Sequence, residues 1–246
     1  MIFNQITNLK KDVDSYLDSV RLYSDVPVRR LTKIIYDYID NPYKFEALEI
    51  EKNNQPSFNM FNVDCTTFVV NSYCLANADS FEEFIENYID FFYYNKECSF
   101  NSRIHFTEDR ILNNPHFSLI KPPSLSEISK TTESVLNIKQ DGAKLIDIDF
   151  QKKIEIGYYL FNDKTSDLIN DFISVNNQNY GIAFVKNKNI ANGHLISHEG
   201  FLTGSELVHS SRTEKKVCVN DNFCVYMKNS GFDGFILFGC AAISEK

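Results

Sequence analysis

The stretch His198-Glu199-Gly200-Phe201-Leu202-Thr203-Gly204-Ser205-Glu206-Leu207-Val208-His209, HEGFLTGSELVH, decides the architecture. Two apolar-rich runs flank Gly204-Ser205, a two-residue turn signal, and the spacing predicts a β-hairpin. With that loop Thr203 faces Glu206, Leu202 faces Leu207, and His198 falls opposite Ser211. His209 shares the face of Ser211, so the two imidazoles become diagonal neighbours with Cα atoms about 7–8 Å apart. A four-residue loop keeps this register, whereas a three-residue loop would put the histidines on opposite faces. Their face also holds Ile196, Leu202 and Leu207; the other carries Ser197, Glu199, Thr203, Glu206 and Ser210. The histidine face is therefore the one expected to lie under a helix.

Around the hairpin lie further short β-branched or aromatic runs: KIEIGYYLF (153–161), YGIAFVK (180–186), HLISHEGFLT (194–203), ELVHSSR (206–212), KVCV (216–219) and DGFILF (233–238). A helix is expected at 166–175 between the first two. The first half of the chain has helical periodicity instead. Ile6, Leu9, Val13, Leu17 and Val20 line one helix, and Pro27 opens another with Leu31, Ile34, Ile35 and Tyr38, ended by Asn41-Pro42-Tyr43. A polar stretch, EIEKNNQPS (49–57), leads to a helix from Asp64 to about Ala76. Ser80 to Glu83 fits a capping box for a helix with Phe81, Phe84, Ile85, Tyr88, Ile89 and Phe92 on one face. Ser124 and Glu127 suggest another capped helix after Pro122-Pro123. Helices first and strands later favour an α+β fold, helices packed on an antiparallel sheet. No repeat or low-complexity tract interrupts it.

The 246 residues, 43% hydrophobic and 24% charged, suit one domain over 1–246 with a substantial core. A net charge of −8 argues against nucleic acid or an anionic membrane as the main partner. No run approaches the ~18 apolar residues of a membrane span. MIFNQITNLKKDVDSYL places charges where a signal peptide needs an apolar centre, so an export signal is expected to lie outside this chain or not to be used. Cysteines 65, 74, 98, 218, 224 and 240 are too sparse for a disulfide scaffold, form no CxxC pair, and read mostly as small core residues.

Cys65 is the open case. In NVDCTTFVV (62–70), Asp64 is a good N-cap, which puts Cys65 at the first helical position. The helix dipole and free N–H groups there should lower the thiol pKa below its ordinary value of ~8.5. The plain alternative is a thiol that merely packs, and each histidine alone reads as a core or strand residue. Taken together, Cys65, His198 and His209 have the makings of a nucleophile, a base and an orienting group. A zinc site made of the same three residues is chemically open. His194 and His198 are spaced like helical zinc ligands, but HLISH reads as strand and lacks the HExxH glutamate. Asp147 and Asp149 read as the solvated face of a strand. Glu199 should point away from His198 and is not recruited. No Gly-rich phosphate loop is present.

NPYKFEAL, FNVDCTTFVV, SRIHF…NN, ISHEGFL and LVHSSRTEKKVCV, in order from about 41 to 238, resemble the NlpC-type cysteine hydrolases of bacterial cell walls. They are most similar to the N-acetylmuramoyl-L-alanine-amidase-like branch. The resemblance implies a papain-like core over 41–246, with residues 1–40 as a helical N-terminal extension outside it. It implies Cys65 as nucleophile, His198 as base and His209 as orienter, with Tyr43, Asp64, Arg103 and His105 on the substrate side. Tyr43 and Arg103 have structural alternatives, as a core cap and an internal ion-pair partner. Where the family usually has Glu, this chain has Val70, and SHVG has become SHEG at Glu199; neither departure touches the three catalytic candidates.

The implied function is cleavage of an amide bond in peptidoglycan stem peptides, between N-acetylmuramic acid and L-alanine, without a metal or other cofactor. The alternatives are a γ-D-glutamyl–diamino-acid endopeptidase of the same superfamily and a non-catalytic wall- or protein-binding module. The implied partner is peptidoglycan or its muropeptide fragments, and the implied place is the cell envelope or periplasm. A cytosolic recycling enzyme and an effector exported by another route are the alternatives.

Overall fold

The computed structural model describes residues 2–45, 56, 58–175 and 178–240, with side chains from residue 9 onward. The Ile6 side chain and most of the polar stretch 49–57 lie outside the described residues. Helices α1 (Ile2–Tyr23), α2 (Pro27–Asp37), α3 (Cys65–Ala76), α4 (Phe81–Phe92) and α5 (Thr107–Asn113) precede most of the sheet. Strands β1 (Phe117–Leu119), β2 (Ser129–Leu136) and β3 (Lys152–Leu160) follow, then α6 (Ser166–Val175), β4 (Asn179–Val185), β5 (Ile196–Thr203), β6 (Glu206–Ser211), β7 (Lys216–Asn220), α7 (Phe223–Ser230) and β8 (Gly234–Cys240). The α+β layout with an antiparallel sheet holds.

The strands run in the order β2-β3-β8-β4-β5-β6-β7, with β1 also on β8, and every pairing is antiparallel. Tyr180 to Val185 in β4 are buried without a break, which requires cover on both faces of the sheet. One face carries Ala183, Phe201, Val208 and Phe238 and packs with apolar side chains of α1 to α4. The other carries Ile182, Phe184, Leu202 and Leu207 and is closed by α6 and α7. Three layers result, with the sheet in the middle. Residues 40–43 continue beyond β7: Asp40 N–H donates to Val217 O (2.9 Å), Val217 N–H to Asn41 O (2.9 Å), and Pro42 pairs with Lys216.

Three local expectations need correction. Pro123–Ile128 is a 3-10 turn with no side-chain cap, because Ser124 lies inside it after two prolines. Ser80 caps α4, but Glu83 returns to the N–H of Asp79, so only half of the capping box forms. Asp147 and Asp149 sit in an irregular bend, not on a strand. Strands β1 and β2 and helices α5 and α7 have weak sequence periodicity and were not expected.

Candidate active site

The hairpin adopts the two-residue register, Phe201↔Val208, Leu202↔Leu207 and Thr203↔Glu206, and Gly204 takes the turn with φ +55. The β5–β6 ladder stops at Phe201↔Val208, while β6 continues along β7 to Ser211↔Lys216. On the other side β5 pairs Phe184↔His198 and then Val185↔Ile196, leaving Ser197 as a bulge. The strand is thus irregular beside His198. Gly200 is needed in this region: a Cβ there would lie 2.7 Å from Val208 O and 2.8 Å from His209 Cβ.

His198 and His209 meet as neighbours on one face. His198 Nε2 lies 2.6 Å from His209 Nδ1, with ring centroids 4.8 Å apart. Phe184 stacks on His198 at 5.4 Å, and Tyr226 meets His209 edge-on at 5.1 Å. Beyond the pair, Asn220 Nδ2 lies 2.9 Å and Cys218 Sγ 3.6 Å from His209 Nε2. Burial in this aromatic setting pushes His198 down to about 3, with His209 adding to the effect, and His209 down to about 4. Both rings are neutral at neutral pH.

The face assignment is overturned. Helix α3 does not cover the histidine face. Phe68 and Tyr73 of α3 pack on Phe201, at 5.4 and 5.2 Å, and Thr66 Oγ1 donates to Glu199 at 2.7 Å. The opposite face is the more polar one, yet Glu199 and Ser210 on it are buried with partners. Ser210 donates to Val63 O at 2.6 Å; Glu199 also accepts from Thr107 at 2.9 Å and pairs with the buried Arg110. The head of α3 nevertheless reaches the same place, because Cys65, Thr66, His105, Ser197, His198 and Glu199 are among the residues lining one cavity of about 300 Å³. Glu199, left out on face alone, belongs to the surroundings of Cys65.

Asp64 caps α3 as expected: its carboxylate accepts from Thr67 N–H at 2.8 Å, and its own N–H donates to Thr67 Oγ1 at 2.9 Å. The thiol, however, is not acidified. Burial pushes Cys65 up to about 12, helped by the charges of Asp64 and Glu199, while the Glu199 N–H and Thr66 hydroxyl act against the shift. No hydrogen bond joins Cys65 to His198: Nε2 of His198 is engaged by His209, which leaves Nδ1 as its remaining ring nitrogen.

Tyr43 pairs through its backbone with Val63, and burial, then Cys65 and Asp64, push its phenol up to about 12. His105 lines the cavity and its Nε2 lies 2.7 Å from Phe100 O. Arg103 stands over the Phe100 ring at 5.7 Å and is not among the lining residues. Among the described residues no three His, Cys, Asp or Glu side chains converge as metal ligands. Asn220 and Tyr226 were missed. Extending the alternation of KVCV by one residue would have placed Asn220 on the face of Cys218, beside His209; Tyr226 left no such signal.

A family model described as AmiA-like, N-acetylmuramoyl-L-alanine amidase-like, matches residues 33–234. No curated protein matches the chain. Among solved structures, a Legionella pneumophila protein is similar with a TM-score of 0.77 and 17% identity, over 95% of each chain. A structure named as an N-acetylmuramoyl-L-alanine amidase from Bacteroides uniformis gives 0.64 and 20%, covering 85% of this chain and 97% of that one. A Bacteroides fragilis protein provisionally named a xylanase gives 0.59 and 19%, covering 84% and 98%. At these identities the structural likenesses establish the fold alone.

Proposed function

The chain belongs to the N-acetylmuramoyl-L-alanine amidase-like family, and from that premise we propose that it is a cysteine amidase of papain-like design. Its substrate is peptidoglycan stem peptide, cut at the bond between N-acetylmuramic acid and L-alanine. The observation that carries the reading is one cavity bordered by both Cys65, at the head of α3, and His198, backed by His209. The N-terminal helices are read as an extension on a single domain.

Nδ1 of His198 accepts the thiol proton as the Cys65 sulfur attacks the amide carbonyl. The Cys65 backbone N–H, free at the helix head, stabilises the oxyanion. The proton then passes from His198 to the leaving nitrogen as the C–N bond breaks, and water, activated by the same imidazole, hydrolyses the thioester. Burial favours the neutral thiol and the neutral imidazole at rest, so the proton is assigned to move as the sulfur attacks. Sulfur and Nδ1 must come within hydrogen-bond reach in the substrate complex, a tightening that catalytic contacts commonly undergo on binding.

Digestion of defined muropeptides, with products weighed by mass spectrometry, tests this. Wild type is expected to release the intact stem peptide, and Cys65→Ala to release none. Cleavage after the γ-D-glutamyl residue would identify the endopeptidase alternative. A second reading, a wall-binding module in which Cys65 only packs, draws on the raised thiol pKa and the missing Cys65–His198 bond. It predicts intact muropeptides with wild type and equal binding by Cys65→Ala.

A further inference from the structure

His198, His209 and Asn220 form a line of ring nitrogens and an amide whose proton order has only two self-consistent settings. Each neutral imidazole has one N–H and one bare nitrogen. If His198 Nε2–H donates to His209 Nδ1, then Nδ1 of His198 is bare, His209 carries its proton on Nε2, and that N–H needs an acceptor. If His209 Nδ1–H donates instead, His209 Nε2 is bare and needs a donor, and His198 carries its proton on Nδ1. Only the first setting leaves His198 able to take a proton from a thiol.

The choice falls to whatever stands at His209 Nε2. Two side chains of β7 reach it, Asn220 at 2.9 Å and Cys218 at 3.6 Å. The thiol, longer and weaker, either donates or accepts and selects neither setting. The amide has an oxygen and a nitrogen of nearly equal size. In the structure Nδ2 is the nearer atom, and a half-turn about χ2 puts Oδ1 in its place without moving the backbone. We propose that Asn220 is a positioning residue: it presents Oδ1 to the Nε2–H of His209, and so holds Nδ1 of His198 bare for Cys65. This role rests on the cysteine-amidase reading, but the proton order can be observed without any turnover.

Two near-isosteric variants separate the possibilities at about pH 8, where a neutral imidazole beside a carboxylate keeps its single proton. Asn220→Asp can only accept; Asn220→Leu can do neither. Ring-nitrogen NMR of histidine-labelled protein reports which nitrogen carries the proton, with signals sorted by His105→Gln, His116→Gln and His194→Gln. Wild type and Asn220→Asp are expected to show Nε2–H on both His198 and His209. Asn220→Asp should keep kcat within about threefold, whereas Asn220→Leu should lose at least about tenfold in kcat with KM little changed.

A proton on Nδ1 of His198 in wild type overturns the proposal, as does an Asn220→Asp variant as slow as Asn220→Leu. If wild type cleaves no muropeptide, the amidase reading fails while the spectra still judge the proton order. If Asn220→Leu does not fold, the wild-type and Asn220→Asp spectra decide alone.

Discussion

At Cys65 two effects of opposite sign meet. A helix N-terminus favours a nearby negative charge by about 0.3–1 kcal/mol. Burial with Asp64 and Glu199 nearby pushes the thiol up to about 12, which at about 1.4 kcal/mol per pKa unit is several kcal/mol against the thiolate. Burial wins. Alkylation of Cys65 by iodoacetamide should therefore be slow at pH 7 and climb steadily to pH 10, followed by mass mapping of the labelled peptide. A rate already on its plateau at neutral pH would contradict a protonated resting thiol. Glu199, in contact with Thr66 beside that thiol, depends on Arg110; both side chains are 1% exposed, and Arg110 also lies over the Phe117 ring at 5.7 Å. Arg110→Met leaves a buried carboxylate without its cation and should cost about 3–5 kcal/mol in urea unfolding. Adding Glu199→Val should recover most of that loss.

Helix α3 joins stability to reactivity through its first residues. The Asp64 carboxylate satisfies Thr67 N–H, so Asp64→Ala should lower stability by about 1 kcal/mol in thermal melts. Asp64 also holds the thiol proton on, as the largest cause after burial. The same variant should therefore alkylate faster at Cys65 at any pH below the wild-type plateau, although its helix is weaker. Strand β5 shows how much an element's own pattern conveys. The alternation of HEGFLT correctly pairs His198 with His209 and separates both from Glu199. It misleads on cover, because it puts the helix over the more apolar histidine face and not over the face of Glu199 and Ser210. Arg110 and Val63, which satisfy them, come from far along the chain. No local rule supplies such partners.

For the whole molecule the two neutral histidines set the response to acid. In the unfolded chain an imidazole takes up its proton near pH 6.5, whereas in the fold His198 and His209 wait until about 3 and about 4. Between those values the unfolded state binds more protons, so stability falls as pH falls. From pH 7 to 5 the loss should be about 2 kcal/mol for each imidazole that stays neutral in the fold. Glu108, whose carboxyl burial pushes up, works in the opposite direction. Urea titrations at several pH values check the slope, and His209→Gln should make it shallower. A flat profile across this window would mean the pair is charged or exposed.

The sequence alone determined that helices lead and an antiparallel sheet follows, the cap at Asp64, the hairpin register and the meeting of two imidazoles. These follow from turn chemistry, side-chain period and local hydrogen bonding, which act within a few residues. Tertiary structure decided which face α3 covers, the burial of Glu199 against Arg110, the raised pKa of Cys65 and the place of Asn220 behind His209. Each of these depends on desolvation and on partners brought in from other parts of the chain, which spacing along the sequence does not encode.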